Sequence, residues 1–219
     1  MNLHRFRAGA LALAVIFLSG CANISAKVTN FNAWPADVAG TTFSFITPQD
    51  RIGDLEQATY EGYVAAQLQK NGLRPAPAGT AGRFYVDVAA AGGTKQKTML
   101  EPVYSNQLVF VPPFRDSVGN VFPGYWAPDQ FGSRYVGDRE VTRTVNTARL
   151  KVRILDTTQG VAGRPKPVFE TLAVYEGDNE DLPDVVPFLT RAMFDGFPGA
   201  NGRVTVVKFD ASSGEMKRP

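Results

Sequence analysis

Between Val145 and Asp156 the side chains alternate without a break. Ala148, Leu150, Val152 and Ile154 fall on one face, and Thr147, Arg149, Lys151 and Arg153 on the other. A period of two with one apolar row and one polar row predicts a strand of an antiparallel sheet, covered on one side and wet on the other. Such a sheet needs a second layer, and two amphipathic segments can supply it. The first runs from a cap at Asp50 to Asn71-Gly72, with Ile52, Leu55, Thr59, Tyr63 and Ala66 as its buried stripe and Tyr60 and Val64 beside it. The second runs from Asp184 to Gly196 on Val185, Phe188, Leu189, Ala192 and Met193, which requires Pro187 to sit in the first turn.

Shorter alternating runs complete the element order. Thr42–Ile46, Arg83–Ala90, Val168–Tyr175 and Arg203–Phe209 read as strands, and Met99–Val111 as a weaker one whose best part is Leu108-Val109-Phe110-Val111. Gly92-Gly93-Thr94-Lys95 lacks the spacing of a phosphate loop and reads as a turn. The order β-α-β-(β)-β-β-α-β predicts an α+β, two-layer sandwich, with two helices packed on one face of a mainly antiparallel sheet.

The chain has 219 residues, one His (His4) and one Cys (Cys21). Residues 1–20 read as an export signal: Arg5 and Arg7 precede an apolar run from Ala8 to Leu18, about half the ~20 residues a membrane-spanning helix needs. Leu18-Ser19-Gly20-Cys21 resembles the bacterial lipoprotein box, in which cleavage before the cysteine leaves it as a diacylglycerol-bearing, N-acylated (palmitate-type) first residue. The residue that follows is Ala22 and not Asp, which by lipoprotein sorting implies the outer membrane with the domain facing the periplasm. Removal of the 20 leaves 199 residues without histidine, and loss of Arg5 and Arg7 brings the 23 Lys+Arg to 21, equal to the 21 Asp+Glu. A neutral chain has no broad electrostatic reason to bind nucleic acid or an anionic membrane surface. Without histidine it lacks Ser-His-Asp and Cys-His chemistry and zinc sites built on His. These boundaries give a signal peptide over 1–20, an acylated N-terminus and tether over 21–40, one domain over 41–210 and a disordered tail over 211–219.

Pro112 to Asp138 interrupts this pattern with four prolines, four glycines and six aromatic residues. Structureless loops above ~15 residues are uncommon in compact domains and often functional. Tyr125, Trp126, Phe131 and Tyr135 are the candidate ligand- or partner-binding residues, set against the alternative that the rings fold back as core. The acidic group Glu176, Asp178, Glu180, Asp181 and Asp184 lacks the central Gly and terminal Glu of a calcium loop and reads as a solvated helix start. Arg143, Arg149, Lys151 and Arg153 read as the wet face of a strand. No metal site, cofactor or catalytic residue is expected.

The chain also resembles the domain of unknown function 4136 family of bacterial lipoproteins. The likeness is carried by Thr42-Phe43-Ser44-Phe45, the helix with Leu68 and Gly72, Tyr85-Val86-Asp87-Val88, Leu150 to Asp156, Val168-Phe169-Glu170 and Gly196-Phe197-Pro198. It implies a fold and a location and carries over no catalytic residue. The functional expectation is a non-enzymatic envelope lipoprotein, held on the membrane by its lipid anchor, that binds an envelope protein. Binding of peptidoglycan or another glycan through the aromatic insertion is the alternative, and a carboxylate-dependent hydrolase the remote one.

Overall fold

The structure is a computed structural model that describes residues 23–105, 108–129, 132–161, 163–177 and 181–217. In chain order it forms β1 (Asn23–Asn32), β2 (Thr42–Phe45), α1 (Leu55–Lys70), β3 (Arg74–Pro75), β4 (Phe84–Ser105), β5 (Leu108–Val111) and β6 (Phe114–Arg115). These are followed by β7 (Val121–Phe122), β8 (Tyr125–Pro128), β9 (Arg134–Val161), β10 (Arg164–Gly177), α2 (Leu182–Met193), β11 (Arg203–Asp210) and β12 (Met216–Lys217). Eight strands share one sheet in the order β12-β11-β1-β10-β9-β4-β2-β3, and β5-β8 and β6-β7 form two small ribbons.

This overturns the two-layer α+β sandwich. Among the described residues the chain is mainly β, with two helices against twelve strands, and its order does not follow the simple β-α-β series. Three features of the sequence explain the difference. Asn23–Asn32, expected to be tether, is a strand hydrogen-bonded between β10 and β11, with Ile24, Ala26 and Val28 buried. Only three of its side chains are buried, one of them an alanine, and the run stands directly after the apolar export segment, so its alternation reads as tether.

The second feature is strand length. β4 continues straight through Gly92-Gly93-Thr94-Lys95, which is strand and not turn, and β9 begins eleven residues before Val145. A Cβ on Gly92 would lie 3.3 Å from Cβ of Leu182, so the glycine lets the start of α2 approach the strand closely. Third, the tail expected to be disordered over 211–219 returns as β12, where Met216 pairs with Phe209 and Lys217 with Lys208.

The first helix is shorter than predicted, and this rotates its buried face. Asp54, not Asp50, caps it, its Oδ1 accepting the N–H groups of Glu56 (2.8 Å) and Gln57 (3.3 Å). Gln57, Tyr60, Val64 and Leu68 are therefore inward, while Ile52 and Leu55 of the predicted stripe are 69% and 84% exposed. Gln57 is tolerated in the core because its amide donates to Val88 O (3.0 Å) and Glu61 Oε1 (2.9 Å). In α2, Val185, Leu189, Ala192 and Met193 are buried as predicted; the helix begins at Leu182, so Pro187 lies beyond the first turn and removes one backbone bond. α2 packs on β1 and β10, and α1 lies beside α2.

By compactness the chain divides in two: residues up to Thr94 together with those from Asn146 on, and Lys95–Val145. The second unit is wider than the predicted insertion of 112–138, because it takes in the ends of β4 and β9.

Candidate functional site

The first unit holds the tightest cluster of charged groups. Asp156, at the far end of the β9 alternation, has a fully buried side chain. It accepts from Arg83 Nη2 (2.9 Å), from Thr158 N (2.8 Å) and from Thr158 Oγ1 (2.6 Å). Burial alone would raise its carboxyl, but the hydrogen bonds from Arg83 and Thr158 outweigh it and hold the group below the ordinary carboxylate range. Arg83 also donates to Asp37 O (3.0 Å) and Asp37 Oδ2 (3.3 Å), which depresses the Asp37 carboxyl. A carboxylate accepting on both oxygens from a fixed guanidinium and a turn is a clasp and a poor general base. It fastens the segment after β1, where Trp34 stacks on Phe84 at 5.2 Å and meets Phe197 edge-on at 4.7 Å.

Other acids of this unit are similarly engaged. Glu61 accepts from Thr47 Oγ1 (2.9 Å), and Asp87 from Arg153 (2.6 Å). In the acidic group, Asp178 and Glu180 lie outside the described residues. Among the described residues no three His, Cys, Asp or Glu side chains are grouped to hold a metal ion. The four residues of the basic stripe are exposed, and three of them are paired: Lys151 with Glu170 (2.5 Å), Arg153 with Asp87, and Arg143 with Glu101.

The second unit presents a different surface. β5 and β8 pair Val109 with Ala127, Phe110 with Trp126 and Val111 with Tyr125. The Phe110 and Trp126 rings lie 5.5 Å apart yet are 53% and 65% exposed, and Tyr125 is 51% exposed. Gly124 permits this: a Cβ there would stand 2.5 Å from Phe110 Cζ, so the ring lies directly over its backbone.

β6 and β7 are closed by a turn in which Asp116 Oδ1 accepts from Val118 N (3.0 Å) and Asn120 N (2.8 Å), with Gly119 at φ +97°. The Asn120 bonds hold the Asp116 carboxyl below its usual range. Phe114 and Phe122 stack across this ribbon at 5.0 Å and 13°, again with both rings exposed.

Of the predicted site residues, Tyr125 and Trp126 are neighbours on β8 and so project to opposite faces of the ribbon. Tyr135, the second residue of β9, meets Tyr104 of β4 edge-on at 6.0 Å; its hydroxyl is raised by a hydrogen bond with Asp138. Phe131 lies outside the described residues, as do Leu18, Ser19, Gly20 and Cys21 of the lipobox. Sequence reasoning missed Phe110 and Tyr104. Both lie in apolar alternation that reads as sheet core, and the signal against that reading is the Pro112-Pro113 pair directly after β5.

A β-rich chain with an excursion of exposed aromatic ribbons is thus the class that fold and surface define. Residues 27–199 match the model of the family described as Domain of unknown function (DUF4136), and the chain belongs to that family. No curated protein matches it. Among solved structures it is similar to a PDZ domain protein from Parabacteroides distasonis, with 13% identity and a TM-score of 0.47, over 90% of this chain and 41% of that one. It is also similar to a PelC dodecamer from Paraburkholderia phytofirmans, with 14% identity and a TM-score of 0.36, over 76% of this chain and 92% of that one. The chain spans about two fifths of the length of the first.

Proposed function

We propose that the protein is a lipoprotein of the bacterial outer membrane, anchored through acylated Cys21 and facing the periplasm, that binds and does not catalyse. The binding reading rests on one observation: the rings of the β5–β8 and β6–β7 ribbons pair with one another and still stand about half exposed. Two-stranded ribbons are marginal in water on their own, and exposed apolar surface of this kind marks interaction sites. The anchoring reading rests on Leu18-Ser19-Gly20-Cys21, which follows a short apolar run.

The test joins the two. A photoreactive group at position 126 in the full chain is activated in intact cells, with Cys21→Ala as the unanchored control. The expected result is an adduct that is lost or changed in the control, with the wild-type chain, but not Cys21→Ala, carrying acyl mass on its N-terminal peptide. A chain that stays unacylated, or a position 126 that captures nothing in either form, contradicts the proposal.

A further inference from the structure

We infer that the aromatic ribbons of the second unit dock on the bilayer to which the chain is anchored, with their rings at the headgroup–acyl boundary. The inference rests on acylation of Cys21 and names the partner of the surface proposed above.

Three observations select a lipid surface. The first is the missing tether. β1 starts at Asn23, so only Ala22 lies between the acylated residue and the sheet, a reach of at most ~7 Å of chain. Side-chain contacts brace that end of β1, with Lys217 Nζ 2.6 Å from Asn23 Oδ1 and 3.1 Å from Asp210 Oδ2. Anchoring Cys21 therefore holds this end of the sheet at the membrane surface.

The second is register. Tyr175 of β10 faces Ala26 of β1 on one side and Ala148 of β9 on the other, and Gly177 faces Asn146. Two residues back along each strand, Ile24, Gly177 and Asn146 share one row. Asn146 is where the chain re-enters the first unit, two strand spacings from β1, or about 10 Å. The covalent root of the second unit is thus carried by the end of the sheet that the anchor holds at the bilayer.

The third is the surface itself. Both faces of the β5–β8 ribbon are apolar, Val109 with Ala127 and Phe110 with Trp126. A folded partner lying on one face would leave the other wet, whereas an interfacial layer receives a narrow ribbon from both sides. Trp and Tyr are the residues that concentrate at membrane interfaces, their rings in the apolar zone and their polar atoms in the headgroups. The turn beyond Phe114 and Phe122 carries Val118, exposed at its tip. The docking is interfacial and not spanning, because the open edges of a two-stranded ribbon carry backbone groups that hydrocarbon cannot satisfy.

The test uses acylated full chain in vesicles of phosphatidylethanolamine and phosphatidylglycerol whose acyl chains carry bromine. The chain has two tryptophans, Trp34 and Trp126, and subtracting the emission of Trp126→Phe, which keeps an aromatic ring, isolates position 126. Trp126 emission is expected to shift to the blue and to fall by roughly half relative to unbrominated vesicles, with reduced access to iodide. An acylated, vesicle-bound chain whose Trp126 emission and iodide access equal those of Cys21→Ala in buffer overturns the inference and leaves the lipoprotein reading standing. An N-terminal peptide without acyl mass overturns both. Capture of a protein or glycan at position 126, with no lipid adduct, also overturns it.

Discussion

Trp34 and Trp126 are the two tryptophans of the chain, and their surroundings differ as the two units do. Trp34 lies against Phe84, Phe169 and Phe197, and its segment is pinned by the Arg83 clasp. Trp126 has Phe110 across a two-stranded ribbon and is otherwise open. In the first unit helices and a neighbouring loop cover one face of the sheet, and most of its rings, Phe31 excepted, are spent on folding. In the second, two small ribbons carry comparable apolar side chains without such a cover. The same residue type thus serves cohesion in one place and is left available in the other.

That contrast can be broken in graded steps. The largest effect is expected from Phe84→Ala, which deletes a fully buried ring under Trp34 and Arg83 and should cost about 3–5 kcal/mol in denaturant unfolding. Next is Asp156→Asn. Arg83 is partly exposed and keeps Asp37, so the loss at neutral pH should lie at the low end for a broken buried pair, about 3 kcal/mol. The Asp156 carboxyl is depressed in the folded chain, so its contribution is fully present above the unfolded value of about 4 and is lost as pH falls through the folded one. The gap between wild type and Asp156→Asn should therefore narrow in acid melts and stay constant from pH 5 to 8. A gap that widens in acid would remove the clasp from the account. Asp54→Ala, which uncaps α1, should cost about 1 kcal/mol.

The sequence made the covered sheet legible wherever alternation was strong and its residues large. Leu150, Val152 and Ile154 are buried as their spacing requires, and α2 buries Val185, Leu189, Ala192 and Met193 of its predicted stripe, while Phe188 is half-buried and Val186 and Thr190 join the core. β1 is not legible because only Ile24, Ala26 and Val28 carry its alternation and they stand beside the export signal, where a tether is the natural reading. The existence of the first helix is legible but its buried face is not, since Asp50 and Asp54 both look like caps and only the local turn decides between them. The run of β4 through two glycines was illegible because glycine signals a turn unless something, here Leu182, presses on the strand. For the aromatic segment, sequence could count the rings but could not say whether they faced inward.

Whether those rings serve folding is decided most directly at the smallest expected effect. Trp126→Ala in the full chain should leave cooperative thermal unfolding intact and change stability by no more than about 0.5 kcal/mol, as for other exposed positions. Loss of cooperative melting, or a cost approaching that of Phe84→Ala, would show Trp126 to be core and contradict its assignment to a binding surface.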